Sequence, residues 1–227
     1  MTHSYFRPAA GFALTLFALA LPRERAAAQA PMTGVEQARQ DSIRRPYTTA
    51  DIQFMSGMIH HHAQAVRIAG WAASHGASKA LQIYCGRVAM GQSAEIGLMK
   101  DWLKDRNQPI PDVDMGGMNM NMPGMASMPG MAGMPGMQHT MMMPGMLTGA
   151  QMARLDSARG VNFDRLFLTD MIQHHRGAIT MVENLLATPG AAQDEIVFKF
   201  ANDVQADQTT EIDRMQQMLA ALPPAHH

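Results

Sequence analysis

The strongest constraint on this chain is an internal duplication. The segment Phe54-Met55-Ser56-Gly57-Met58-Ile59-His60-His61-His62-Ala63-Gln64-Ala65-Val66 lines up with Phe167-Leu168-Thr169-Asp170-Met171-Ile172-Gln173-His174-His175-Arg176-Gly177-Ala178-Ile179 at an offset of 113, which also pairs Asp51 with Asp164. Farther on, Gln92-x-x-Glu95-Ile96-x-x-Met99-x-x-x-Leu103 matches Gln208-x-x-Glu211-Ile212-x-x-Met215-x-x-x-Leu219 at an offset of 116. Three extra residues around Thr188-Pro189-Gly190, in the second copy's connecting turn, account for the difference. Each copy reads as helix, short turn, helix. Two such hairpins bury their apolar stripes most simply as an all-α four-helix bundle in two symmetric halves.

Helical periodicity says which side chains face inward. At about 100° per residue, with Met58 set to zero, His62 falls at about 40° and His61 at about −60°, inside the stripe made by Phe54, Ala65 and Ile68. His60 falls at about 200°, on the opposite side. In the second copy Met171, His174 and His175 repeat the geometry among Phe167, Ile172, Ala178, Val182 and Leu185, while Gln173 stands where His60 stood. On the partner helices Glu95 shares a face with Tyr84, Val88, Gln92, Met99, Trp102 and Leu103. Glu211 shares one with Phe200, Val204, Gln208, Met215, Met218 and Leu219. A carboxylate in an apolar stripe is costly unless paired or coordinated, so the histidines and glutamates are expected to meet at the bundle centre.

Between the copies the chain changes character. Met-Pro-Gly-Met occurs four times, at 122–125, 128–131, 134–137 and 143–146, and thirteen methionines fall between Met115 and Met146. Pro and Gly at this density break helix and strand alike, so 107–147 is expected to be a flexible insert in a single domain whose halves are 31–106 and 148–222. Thr148-x-x-Gln151 fits a capping box that restarts helix, and Asn162 fits the N-cap of the next long one. At the other end, Arg7, the apolar run Ala9 to Leu21 and Ala28-Gln29-Ala30 read as a secretory signal peptide over 1–30. Its apolar run is shorter than the roughly 20 residues of a membrane span. The mature chain is therefore expected in the periplasm or otherwise exported, with a short tail at 223–227 and no membrane insertion after signal cleavage.

Composition removes several function classes. Lys and Arg number 18 against 19 Asp and Glu, so no basic face argues for nucleic acid. The lone cysteine, Cys85, excludes a disulfide framework and a Cys-rich zinc site; at its helical position it reads as a small buried hydrophobe. No serine-hydrolase, cysteine-protease or P-loop motif is present. Methionine, at 24 residues, is the outlier.

The paired patterns Asp51-x-x-Phe54-x-x-x-Met58-Ile59-x-His61-His62 and Asp164-x-x-Phe167-x-x-x-Met171-Ile172-x-His174-His175-Arg176-Gly177-Ala178 resemble the doubled signature of domain-of-unknown-function family 305. The resemblance covers about residues 48–221 apart from the insert. It implies an exported, ferritin-like helical bundle, in a family that includes CopM-type copper-binding proteins. The chain departs from the family pattern at Gly57, where a bulkier residue is usual, at His60 and Gln173, where Pro is frequent, and in the length of its insert.

The donor chemistry points the same way. Thioether sulfur is soft and suits Cu(I) and Ag(I), and imidazole accepts both copper oxidation states. The candidate ligands in the bundle are Met58, His61, His62, Met171, His174 and His175, with Glu95, Glu211, Met99 and Met215. In the insert they are Met118, Met120, Met122, Met125, Met128, Met131, Met134, Met137, His139, Met141, Met142, Met143 and Met146. Adjacent histidines diverge by about 100°, so one of each pair is expected to ligate and the other to hydrogen-bond Glu95 or Glu211. The blander alternatives are a polar network that only sets bundle register, core packing for Met99 and Met215, and helix-dipole roles for Asp51 and Asp164. The reading that results is a non-enzymatic protein that captures copper, mainly Cu(I), for sequestration or delivery. Its partners would be metal ions and, for delivery, a copper donor or acceptor protein. The competing readings are a dinuclear iron or manganese redox enzyme of ferritin type, and a structural bundle whose Met-rich loop recruits a partner protein. Against the former, each second helix carries Glu-x-x-x-Met rather than Glu-x-x-His.

Overall fold

The computed structural model describes residues 33–36, 39, 46–113 and 143–224. Within them lie α1 (Thr49–Ala69), α2 (Lys79–Asp105), the short α3 (Gly149–Ser157), α4 (Val161–Ala187) and α5 (Glu195–Ala220), and no strand. The expected leader at 1–30, the insert residues Met118, Met120, Met122, Met125, Met128, Met131, Met134, Met137, His139, Met141 and Met142, and His226 and His227 lie outside the described residues.

The helix starts follow local chemistry. Thr48 caps α1 in a closed capping box with Asp51, and Thr148 does the same for α3 with Gln151, satisfying amide donors that a helix leaves orphaned at its first turn. Ser78 caps α2, and Asp194 caps α5 by accepting from Ile196 and Val197. The start of α4 corrects the expectation for Asn162. Its N-cap is Gly160, with φ 56° and no side-chain cap, and Asn162 sits in the first turn. The chain must pass through a left-handed conformation there so that the Gly160 amide can donate to the His75 carbonyl at 2.9 Å. Glycine adopts that conformation without a Cβ penalty.

The helices α1 and α2 pair as one hairpin and α4 and α5 as the other, with α1 and α4 packed together between them. Each hairpin is tied to the loop of the other by an equivalent carboxylate. Asp51 Oδ1 accepts from the Ala192 amide at 2.7 Å, in the α4–α5 loop, and Asp164 accepts from the Ser78 amide at 3.1 and 3.2 Å, in the α1–α2 loop. Both carboxylates are buried, so they serve as tertiary clamps as well as first-turn acids.

The core is divided. One apolar cluster takes Phe54, Met58, Met99, Trp102, Val182 and Phe200, and the other takes Ile68, Leu81, Phe163, Phe167, Met171 and Met215. Along every long helix the two clusters meet at polar residues: His61 and His62 on α1, Gln92 and Glu95 on α2, His174 and His175 on α4, Gln208 and Glu211 on α5. The bundle thus has two apolar halves with one polar layer at mid-height.

Candidate metal centre

The polar layer is built by the spacing seen in the sequence. His61 and His174 come from equivalent turns of α1 and α4 and meet at the centre, with ring centroids 3.8 Å apart and planes 41° apart. His62 and His175 turn outward toward the partner helices. His175 Nε2 lies 2.6 Å from Glu211 Oε2 in a hydrogen bond. His62 Nε2 lies 2.7 Å from Glu95 Oε2, a contact as close but off the hydrogen-bond direction. One imidazole of each pair thus meets a carboxylate, and the other faces its counterpart across the bundle. All four histidines have no exposed surface. Glu95 and Glu211 are only partly buried, with side chains 23% and 29% exposed, less enclosed than the apolar stripe suggested.

These contacts settle where the ring protons sit. His61 Nε2 is 3.0 Å from the Pro144 carbonyl oxygen, and a carbonyl only accepts, so Nε2 carries the proton and Nδ1 keeps its lone pair. At His175 the Glu211 carboxylate, which only accepts, likewise takes the hydrogen bond from Nε2. The Nδ1 atoms of His61, His62 and His175 and both ring nitrogens of His174 have no well-directed hydrogen-bond partner within the protein. Each such buried atom costs about 1–3 kcal/mol if left unsatisfied. Burial, then the neighbouring histidines, pushes the His61 imidazolium down to about 3 and that of His174 well below the ordinary range. Both rings are neutral and carry free lone pairs, the state in which imidazole binds a metal.

Met58, Met99, Met171 and Met215 are fully buried. Met58 and Met99 lie in one apolar cluster, Met171 and Met215 in the other, so the thioethers flank the histidine layer from both sides. Met58 stands one turn before His61 and His62, and Met171 one turn before His174 and His175, the spacing at which helical side chains are neighbours. Among the described residues no three His, Cys, Asp or Glu side chains form a group able to hold a metal ion. A metal in this layer would need thioether sulfur beside imidazole, and the carboxylate-rich set of a ferritin-type dinuclear centre is not assembled. Cys85 is buried, and burial pushes its thiol up to about 12, which keeps it a protonated hydrophobe.

The sequence reading did not anticipate what covers the site. The end of the insert, 143–147, lies against the bundle as a strap formed from the last Met-Pro-Gly-Met. Besides the Pro144 contact to His61, the Gln64 side chain donates to the Leu147 carbonyl at 3.1 Å and accepts from its amide at 2.7 Å. Gly145, at φ 76°, is pressed onto α4 at Gly177. A Cβ at Gly57 would meet Met143 Sδ at 3.2 Å and the Met181 methyl at 3.3 Å, so the small residue at position 57 seats a thioether of the strap. The signal was a difference between the repeats: Gln64 and Gly177 are equivalent positions, and one grips the strap while the other makes room for it.

The DUF305 profile, described as a domain of unknown function, matches residues 51–219. The chain belongs to the DUF305 family. Among solved structures it is similar to a DUF305 protein of Streptomyces coelicolor, at 25% identity and a TM-score of 0.58, covering 78% of this chain and 98% of that one. It is similar to a DUF305 fragment from Deinococcus radiodurans at 24% identity and a TM-score of 0.60, covering 78% and 99%. It is also similar to CopM in its Cu(II)-bound form, at 26% identity and a TM-score of 0.52, covering 75% and 95%. No curated protein matches the chain. The DUF305 domain is a helical bundle here as in these relatives, and no helix among the described residues is long and apolar enough to cross a membrane.

Proposed function

We propose that this protein binds copper and holds or passes it on without catalysing a reaction. The observation that carries this reading is the mid-height layer of four fully buried imidazoles, several of whose ring nitrogens lack a protein partner, set between buried thioethers. An apolar core gains nothing from such atoms, whereas a bound cation would satisfy them. Neutral imidazole with thioether is a donor set suited to Cu(I) and to Ag(I). The likeness to CopM, a protein with a Cu(II)-bound form, supports a metal-handling role for this family member.

In this account the Met-rich insert captures the ion through interchangeable sulfur contacts, and the bundle takes it at Met58, His61, Met171 and His174. Glu95 and Glu211 orient His62 and His175 from outside. The leader over 1–30 would deliver the chain to an exported compartment, where thioethers stay available because they cannot be locked into disulfides.

Anaerobic Cu(I) titration of the full mature chain and of a chain lacking 115–142 tests the division of labour. Removing the segment should lower the stoichiometry several-fold and leave the helical signal unchanged. Equal stoichiometry in the two would overturn the role given to the insert.

A further inference from the structure

On the side of the bundle away from the His61–His174 pair, α2 and α5 enclose a cavity of about 340 Å³ that opens to solvent. Its polar lining is Gln92 and Glu95 from α2 and Asp207, Gln208, Thr210 and Glu211 from α5. Three of these are carboxylates, and no lysine or arginine is among the lining residues. Asp207 is exposed at the mouth. Desolvation, and then the neighbouring Glu95 and Glu211, push its carboxyl up.

The glutamines make this more than a solvated acidic patch. Gln92 and Gln208 are 3% and 2% exposed, and both amide atoms of Gln92 and the amide oxygen of Gln208 have no hydrogen-bond partner in the protein. An amide oxygen buried beside carboxylates is repelled by them and is left with two uncompensated lone pairs. A cation would reverse both costs. Gln92 with Gln208, and Glu95 with Glu211, are repeat-equivalent pairs, so both helices bring the same two residue types to the cavity lining. This donor set is hard, unlike the imidazole and thioether set at the core: oxygen ligands are the preference of Mg²⁺, Ca²⁺ and Mn²⁺. Because no three carboxylates or imidazoles form a chelating group among the described residues, such an ion would use the amide oxygens and keep some of its water, for which the cavity has room.

We propose that the α2–α5 cavity is a second cation site, taking one partly hydrated hard divalent ion on Glu95, Glu211, Gln92 and Gln208, with Asp207 at its mouth. The two sites would lie back to back, joined by the His62–Glu95 and His175–Glu211 contacts. The site does not depend on the copper reading.

The probe is Mn(II) added to the full mature chain freed of metal, followed by loss of the free-ion electron paramagnetic resonance signal. One Mn(II) per chain is expected. A Gln92→Leu/Gln208→Leu variant should bind about tenfold more weakly or worse, and Asp207→Asn a few-fold more weakly. Cu(I) stoichiometry of both variants should match the parent, which separates this site from the core. Should the double variant fail to fold, Asp207→Asn, a surface change, carries the test alone. Retention of Mn(II) by the variants at the parental affinity, or no uptake by the parent at millimolar Mn(II), overturns the proposal. Either result would mean that water alone occupies the cavity.

Discussion

Gly145 and Gly177 meet backbone to backbone: a Cβ on Gly177 would lie 2.0 Å from the Pro144 carbonyl oxygen and 2.4 Å from the Gly145 Cα. Neither partner is a flexible side-chain end, so nothing can yield without moving the strap. This contact brings the Pro144 carbonyl to His61 Nε2 and makes the covering of the histidine layer depend on one missing methyl group.

Gly177→Ala therefore has a diagnostic sign. A glycine inside a helix is ordinarily improved by alanine by about 0.5–1 kcal/mol. Here the added methyl should instead destabilise by about 1–3 kcal/mol through overpacking, or expel the strap. Chemical denaturation measures the first outcome, and faster proteolytic cleavage within 143–147 at unchanged helix content measures the second.

Acid should weaken the fold through the two central histidines. Their folded-state affinity for protons is depressed, to about 3 for His61 and well down for His174. Between that range and the unfolded value of about 6.5 the unfolded chain binds more protons. Stability should be fully present above about pH 6.5 and fall as pH drops below it, by up to about 1.4 kcal/mol per pH unit for each histidine. Denaturation midpoints of the metal-free protein between pH 7 and pH 4 check this, and His174→Leu should flatten the slope.

Asp194 joins three jobs in one carboxylate. It caps α5, accepts from Trp102 Nε1 at 3.2 Å and pairs with the buried Arg106, which stacks over the Trp102 ring. Asp194→Ala removes the buried carboxylate that pairs with the Arg106 guanidinium and should cost about 3–5 kcal/mol. Asp203→Ala, on the exposed face of the same helix, should cost less than about 1 kcal/mol. Parallel urea melts decide it.

The carboxylate behind a ligating or orienting histidine matters for metal more than for folding. Glu211 is partly exposed and hydrogen-bonded to His175, so Glu211→Ala should leave the melting temperature within a few degrees while weakening Cu(I) affinity about 10–100-fold. Competition against a chromophoric Cu(I) chelator reads the affinity.

The bundle was legible because its signals are periodic and doubled. The 3.6-residue repeat put His61, His62, His174 and His175 inward, and the offset repeat of Gln92 and Glu95 put their counterparts opposite. What the sequence hid has no period. The strap is held by the Pro144 carbonyl and two backbone groups of Leu147, each 83 positions from its partner on α1, and by a glycine contact to α4, and backbone groups are the same in every residue. Gly160 rather than Asn162 begins α4 because a tertiary hydrogen bond to His75 dictates its φ, a demand that a local capping rule cannot register. The clamping roles of Asp51 and Asp164 escaped for the same reason: their first-turn position is local, but their partners Ala192 and Ser78 are in the opposite hairpin.

The most direct test of the account is anaerobic Cu(I) titration of the chain lacking 115–142, compared with the same chain carrying His61→Leu and His174→Leu. Leucine removes the orphaned ring nitrogens and should leave stability equal or higher. The parent should take up Cu(I) in the bundle, and the leucine pair should lose this uptake while remaining folded. Undiminished Cu(I) binding by the leucine pair would contradict it.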